Sequence, residues 1–275
     1  MIRRPKGLYM ALMFAIYAFG ILLELLLVLP VLFMLERMRG SNPGRMEAVH
    51  RFLMGIWMWL MRVSGLLVVE PPIGRPVDGP SVIVANHPGL FDVIVLVCEI
   101  PNMSVLVKRR LTRTLPVGPI LRSCGYVLSP DHAHAGTMLA SIKEAVEHLK
   151  AGRRFQLFPE GTRSPVGGLR TFRRGAFKIA QIAQVPIQPV FIHNAPPFLS
   201  HVDRWYLPPR IASRIQLEFL PPLPAPEKGG EAEATRNLEA LYRAHGEGLG
   251  EPSKLGHDAG IEPAHAPDGG KGDVE

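Results

Sequence analysis

Apolar positions gather at the start of the chain and then break into short runs. From Met10 to Leu35, 26 residues carry one charge, Glu24. As a helix this run is about 39 Å long, more than the ~30 Å hydrocarbon core of a bilayer. A second run, Phe52 to Val68, has 17 residues and one charge, Arg62, and it includes Trp57 and Trp59. That length sits at the lower limit for a span, and tryptophan favours the headgroup level. A cleaved leader fits poorly, because the first run is too long and no small-residue cleavage site follows it. A soluble core helix is the blander alternative, but a run this long and this free of charge exceeds an ordinary core helix. Arg3, Arg4 and Lys6 precede the first run, and Arg37, Arg39, Arg45 and Arg51 lie between the two. Positive residues are retained on the cytoplasmic side, so both ends of the first run ask for the same side. Pro30 is placed to kink it. The pattern predicts a membrane-anchoring helix pair over residues 1–65, dipping into one leaflet in preference to a two-span hairpin. Either arrangement leaves the rest of the chain at the cytoplasmic face, of the inner membrane if the source is bacterial.

From residue 66 short apolar runs alternate with amphipathic stretches. Strands are expected at Leu67–Val69, Val82–Ala85, Ser104–Val107, Tyr126–Leu128, Phe155–Phe158, Ile187–Ile192 and Gln216–Leu220. Helices are expected at Leu90–Glu99, Thr137–Lys150 and Ala176–Gln184. This alternation argues for an α/β domain over residues 66–223 with a largely buried sheet flanked by helices. After Leu223 the apolar periodicity is lost and Pro, Gly, Glu and Ala dominate. Residues 224–275 read as an acidic, mostly disordered tail, with one helix at Glu231–Arg243 as its ordered element.

Composition and charge narrow the picture. With 275 residues, 47% of them hydrophobic, the chain has material for one large domain with appendages and is not a disordered protein. Two cysteines, Cys98 and Cys124, make no disulfide framework and fit a reducing compartment. Residues 1–223 hold 26 Lys and Arg against 13 Asp and Glu, whereas residues 224–275 hold 5 against 11. A basic body implies anionic partners. The apolar start explains that charge through anionic lipid, and nothing beyond charge speaks for nucleic acid.

Two stretches carry candidate chemistry. Asn86-His87-Pro88-Gly89-Leu90-Phe91-Asp92 follows an apolar strand, which delivers His87 to the rim of the sheet and puts Asp92 in the first turn of the next helix. A carboxylate so placed fixes the imidazole tautomer and stabilises the imidazolium, leaving the other nitrogen to take a proton from a hydroxyl. Alone, a loop histidine near an aspartate is most often a structural pair. Phe158-Pro159-Glu160-Gly161-Thr162-Arg163-Ser164 also follows a strand. Gly161 permits a tight turn whose amides can face an anion, and Arg163 can grip phosphate bidentately. Alone, this is a capped surface turn. Phe172-Arg173-Arg174-Gly175-Ala176-Phe177-Lys178 is a basic entry into a helix.

In their order, these stretches followed by Val185-Pro186-Ile187-Gln188-Pro189-Val190 closely resemble the glycerolipid acyltransferase superfamily, whose best-known members are the 1-acylglycerol-3-phosphate acyltransferases. The resemblance covers roughly residues 45–222. It implies an α/β acyltransferase domain with a mixed sheet, and transfer from a thioester, acyl-CoA or acyl-carrier protein, to a lysophospholipid hydroxyl without cofactor or metal. By it His87 is the general base and Asp92 its partner. Glu160, Gly161, Thr162 and Arg163 line the acceptor phosphate site, Lys108 adds a cation there, and Val185–Val190 help form the donor side. Members that acylate lysophosphatidic acid usually carry an Arg where this chain reads Ser129-Pro130-Asp131. Loss of that cation weakens a dianionic acceptor by about 1–3 kcal/mol, unless Arg109 or Arg122 compensates. Trp205-Tyr206-Leu207-Pro208-Pro209-Arg210 resembles a branch found beside aryl-polyene or related lipid pathways. Three readings stay open: a membrane-bound acyltransferase acting on 1-acylglycerol-3-phosphate, one acting on a specialised acceptor, and an inactive lipid-binding homologue. A hydrolase is a further reading, but Gly-x-Ser-x-Gly is absent. His132-Ala133-His134 lacks a third ligand spacing, so no metal site is expected.

Overall fold

The apolar start forms one helical rod in three pieces: α1 (Lys6–Leu23), a π turn (Glu24–Val28) and α2 (Leu29–Arg39). Pro30 has no N–H for the carbonyl of Leu26, and its ring would press on that carbonyl in regular α geometry. The ladder widens just before it, with the Leu29 N–H donating to the Glu24 carbonyl. In this computed structural model, which describes residues 6–40, 43–115, 117–129, 135–165, 167–197, 199 and 211–248, the helix Leu8–Arg39 is long and apolar enough to cross a membrane. It is the one such helix among the described residues.

The expected second membrane helix is present as α3 (Pro43–Val63), but it is amphipathic. Met54, Trp57, Met58 and Met61 are buried, while Phe52, Ile56, Trp59 and Val63 form an exposed stripe. Its inner face packs on α4 (Asp92–Glu99) and α5 (Val117–Ser123). The rod is joined to α3 by the Tyr17 and Trp57 rings, centroids 4.0 Å apart and tilted by 35°, and by Glu24 Oε1 and His50 Nδ1 at 2.9 Å. A long single helix, rather than a pair, therefore stands out as the membrane candidate.

Seven strands build one sheet: β1 (Leu67–Val69), β2 (Val82–Ala85), β3 (Met103–Lys108), β4 (Val127–Ser129), β5 (Arg154–Leu157), β6 (Ile187–Ala195) and β7 (Ser213–Phe219). Their spatial order is β1-β7-β6-β2-β5-β3-β4. Among the named strands β6 and β7 alone pair antiparallel, so the sheet is mixed, as the resemblance implied. Alternation along the central strands sorts side chains into two cores. Ile83, Ala85, Val190 and Ile192 face a layer containing Trp57, Phe91 and Leu96. Val82, Val84, Phe155, Ile187 and Phe191 face another containing Val146, Phe177 and Tyr242. The second layer comes from α6 (Ala135–Lys150), α7 (Gly175–Ala183) and α8 (Glu231–Gly248).

Three elements differ from expectation. A short 3-10 helix, Arg109–Arg113, and α5 fill a stretch where Thr, Pro and Gly masked any periodicity. There Gly118 lies against the Thr112 carbonyl, where a Cβ would overlap it. The helix expected near Glu231 is α8, and it is packed: Leu238 and Tyr242 are buried. The Tyr242 hydroxyl lies 2.8 Å from the Val84 carbonyl and 3.0 Å from that of Val190. Residues 231–248 thus join the second core. The expected tail beyond residue 248, the His132-Ala133-His134 segment, Pro130-Asp131 and the Trp205–Arg210 motif lie outside the described residues.

Candidate active site

Strand β2 is the central fixture. It ends at Ala85, and the next residue, Asn86, ties the turn to β6 by a reciprocal pair: Nδ2 donates to the Ile192 carbonyl at 3.0 Å, and the Ile192 N–H donates to Oδ1 at 2.6 Å. The chain then turns through His87 and Pro88 into α4. Asp92, at the first position of α4, is fully buried.

His87 and Asp92 form the expected pair, Nδ1 to Oδ2 at 2.9 Å. The carboxylate also accepts from the Gly89 N–H at 2.6 Å and from Asn194 Nδ2 at 3.0 Å. Burial pushes the Asp92 carboxyl above the usual carboxylate range, and the bonds from His87, Gly89 and Asn194 work against that. With Nδ1–H donating to Asp92, Nε2 is left as the acceptor nitrogen. The imidazole is stacked on Phe158, centroids 3.9 Å apart and planes 7° apart. Its side chain keeps 15% exposure, so the ring is held on one edge and one face yet open to a substrate.

The second motif is locked onto the first. Glu160 is buried, and its carboxylate accepts from the His87 N–H (3.1 Å), the Ser164 hydroxyl (2.6 Å) and the Arg170 N–H (2.8 Å). The Ser164 N–H donates to the His87 carbonyl at 2.7 Å. Glu160 was expected to line the acceptor site, but both its oxygens are bound to protein donors. It braces the turn that carries His87. Gly161, at φ +71°, makes the tight bend, and an added Cβ would meet the Arg173 guanidinium. Thr162 is exposed at the tip of the turn.

Arginines gather around this turn. Arg163 Nη1 donates to the Leu199 carbonyl at 2.6 Å, and Arg170 Nε donates to the Arg163 carbonyl at 3.1 Å. Arg173 lies over Gly161, its N–H bonded to the Pro159 carbonyl at 2.9 Å. Lys108 is exposed at the end of β3. Because β5 lies between β2 and β3, it is set two strands, or about 10 Å, from β2. Its register partner is Ser129, the first residue of the Ser129-Pro130-Asp131 stretch in which the resemblance leads one to expect an Arg. Of the two cations suggested as substitutes, Arg122 donates to the Thr112 carbonyl, and Arg109 is exposed next to Lys108.

Sequence reasoning missed Asn194 and Arg170. Asn194 had one visible signal, a polar residue in the apolar run of β6. Arg170 had none, since its useful group is a backbone N–H. Burial is the main cause pushing the Cys98 thiol up to about 11 and the Cys124 thiol up to about 12, which disfavours the thiolate at both. A cavity of about 540 Å³ borders the two motif loops through Asn86, Pro88 and Ser164 and runs to Phe191 and Tyr242.

Comparison with known proteins agrees with this geometry. The Acyltransferase family model matches residues 61–193. The chain is 30% identical over 213 residues to the 1-acyl-sn-glycerol-3-phosphate acyltransferase alpha of Bos taurus, covering 76% of this chain and 70% of that one. It is 29% identical over 189 residues to the 1-acyl-sn-glycerol-3-phosphate acyltransferase of Salmonella typhimurium, covering 66% and 74%. The crystal structure of the 1-acyl-sn-glycerophosphate (LPA) acyltransferase PlsC from Thermotoga maritima superimposes with a TM-score of 0.61 at 25% identity, over 89% of this chain and 94% of that one. A seven-stranded mixed sheet, two interlocked motifs in the family's order and relatives of this breadth lead to one assignment: the chain belongs to the glycerolipid acyltransferase superfamily and is an acyltransferase.

Proposed function

We propose that this enzyme moves a fatty acyl group from acyl-CoA or acyl-carrier protein to the free hydroxyl of 1-acylglycerol-3-phosphate. The observation that carries the reading is the pairing of His87 Nδ1 with the fully buried Asp92 carboxylate at 2.9 Å. His87 Nε2 takes the acceptor's hydroxyl proton as the oxygen attacks the thioester carbonyl. Asp92 offsets the charge formed on the imidazolium. Collapse of the tetrahedral adduct breaks the carbon–sulfur bond, and the proton passes from the imidazolium to the departing sulfur. The products are a diacyl lipid and a thiol. The thioester supplies the activation, so the chemistry calls for no further cofactor.

Arg163, Arg170 and Arg173, with Lys108 to one side, concentrate positive charge beside the dyad, which suits an acceptor phosphate. Because the Ser129-Pro130-Asp131 stretch offers no cation, a less charged alcohol is the second acceptor reading. The intact dyad and its brace speak against a decayed, purely lipid-binding protein. The exposed apolar surface of the Lys6–Arg39 rod, including Leu12, Phe19, Leu26 and Phe33, supports seating at a membrane, as does the outer stripe of α3. Membrane phospholipids would then be the protein's surroundings and lysolipid its substrate, both approached from the cytoplasmic face that the flanking arginines favour. Such a seat leaves acyl chains in lipid while their polar ends reach His87.

The test is acyl transfer by the purified full chain in mixed micelles, with acyl-CoA and acyl-carrier protein as parallel donors and a panel of lysolipids as acceptors. Esterified product from 1-acylglycerol-3-phosphate, reduced ~10²–10⁴-fold by His87→Ala, is expected. Turnover of the variant within threefold of wild type would remove the general base. Release of free fatty acid in place of esterified lipid would make the protein a hydrolase.

A further inference from the structure

On the α8 side of the sheet a second group of titratable side chains converges. His193 Nε2 lies 2.7 Å and His245 Nε2 2.8 Å from the same oxygen, Oε2 of Glu218. The three come from β6, α8 and β7. Their ligand atoms all lie within 4.8 Å of one another. Each side chain is 20–26% exposed, which leaves access for an ion and a water ligand. Phe191 packs on both imidazoles, centroids 5.1 and 4.8 Å away, and limits their rotation.

We infer that His193, Glu218 and His245 bind a divalent cation of the zinc class, which pins the end of α8 to the β6–β7 hairpin. Two imidazoles with one carboxylate suit zinc and its transition-metal neighbours, whereas magnesium and calcium prefer sets made of oxygen alone. Zinc bonds of ~2.0–2.2 Å in tetrahedral geometry set ligand atoms about 3.3 Å apart. The two Nε2–Oε2 separations need to open by about half an ångström, and the two imidazole nitrogens, within 4.8 Å of each other, need to close by up to about 1.5 Å to reach that spacing. In the metal-free form both Nε2 atoms carry protons donated to Oε2. Binding the ion requires each Nε2 to give up its proton, so that both lone pairs face the metal. Three protein ligands leave one position for water.

The ion takes no part in the proposed acyl transfer, although His193 lines the cavity that borders the two motif loops. Successive residues of an extended strand face opposite sides. His193 therefore faces α8, while the next residue, Asn194, faces Asp92. The consequence is for stability. Besides Tyr242, α8 carries Glu239, whose Oε2 accepts the Phe172 N–H at 2.8 Å, so the helix holds the basic stretch that packs over the Gly161 turn. A cation linking His245 to the sheet closes this arrangement at the far end of the helix.

The test uses untagged full-length protein stripped with a chelator and titrated with Co²⁺, then Zn²⁺. One equivalent of Co²⁺ should give the visible d–d bands of a tetrahedral site, and Zn²⁺ should bleach them. Zinc at a hundredfold excess over its Kd should raise Tm by roughly 5 °C or more, and Mg²⁺ should not. His245→Ala and, separately, His193→Gln should abolish both signals. Should either variant fail to fold, the stoichiometry and spectrum of the wild-type protein decide alone. No wild-type binding tighter than ~100 µM, a millimolar-class affinity being too weak to matter for a structural zinc, overturns the inference. So does binding that survives in a folded variant.

Discussion

Asp92→Asn separates the chemistry of the dyad from the stability of the fold. The carboxylate is fully buried and receives three donors: His87 Nδ1–H, the Gly89 N–H and Asn194 Nδ2–H. An asparagine can keep its carbonyl toward Gly89 and His87 and turn its amide nitrogen to Asn194, which must then offer its oxygen. The tautomer survives in that arrangement, and the countercharge of the imidazolium does not. Unit charges about 4 Å apart at an effective dielectric near 20 interact by about 4 kcal/mol, so acyl transfer should fall about 10³-fold. Stability should move the other way. Burial raises the Asp92 pKa, so the folded state holds that proton more tightly than the unfolded chain does. Stability therefore declines as pH rises above the unfolded value of ~3.9. Asparagine removes this penalty, which predicts a Tm a few degrees above wild type at pH 7 and a smaller difference toward pH 4. The assays are kcat/KM with the micellar substrates and thermal unfolding at both pH values. A rate loss under tenfold, or a lower Tm at pH 7, would refute the reasoning.

Other consequences follow from the same contacts. Glu160→Gln replaces an acceptor of three donors and leaves at least one unpaired, costing ~1–3 kcal/mol; a lower Tm together with reduced kcat checks it, and an unchanged Tm would make the brace dispensable. A chain ending at residue 230 loses Leu238 and Tyr242 from the second core and should not fold stably, whereas one ending at Gly248 should match the full chain in circular dichroism and turnover. Deleting residues 1–39 spares the buried face of α3 and should release the protein from membranes into the soluble fraction, leaving a salt-sensitive attraction of Lys108, Arg109 and Arg113 to anionic vesicles; retention in high salt would argue against the anchor. Arg163→Lys should raise the KM of a phosphate-bearing acceptor and spare that of the donor, because lysine lacks the planar fork.

Local pattern was enough for much of this protein. The short apolar runs after residue 66 became the seven strands because each is bounded by turn-forming residues and filled with side chains suited to a buried sheet. His87 and Asp92 were legible as a pair, since a five-residue spacing across a strand-to-helix turn limits how far apart they can lie. The long uncharged run at the start announced its helix by composition alone. Tertiary structure decided what depends on distant partners. Glu160 reads in sequence as part of an anion-facing turn, yet its carboxylate is committed to His87 and Ser164 because β5 lies beside β2. Residues 231–248 read as part of an acidic tail, yet Tyr242 reaches two carbonyls of the sheet. The second hydrophobic run read as a membrane helix until one of its faces found α4 and α5. His193, Glu218 and His245 are 25 and 27 residues apart and show no ligand spacing; a strand pairing and a docked helix bring them together. Pattern along a chain reports which groups prefer to be buried, and only packing determines which of them meet.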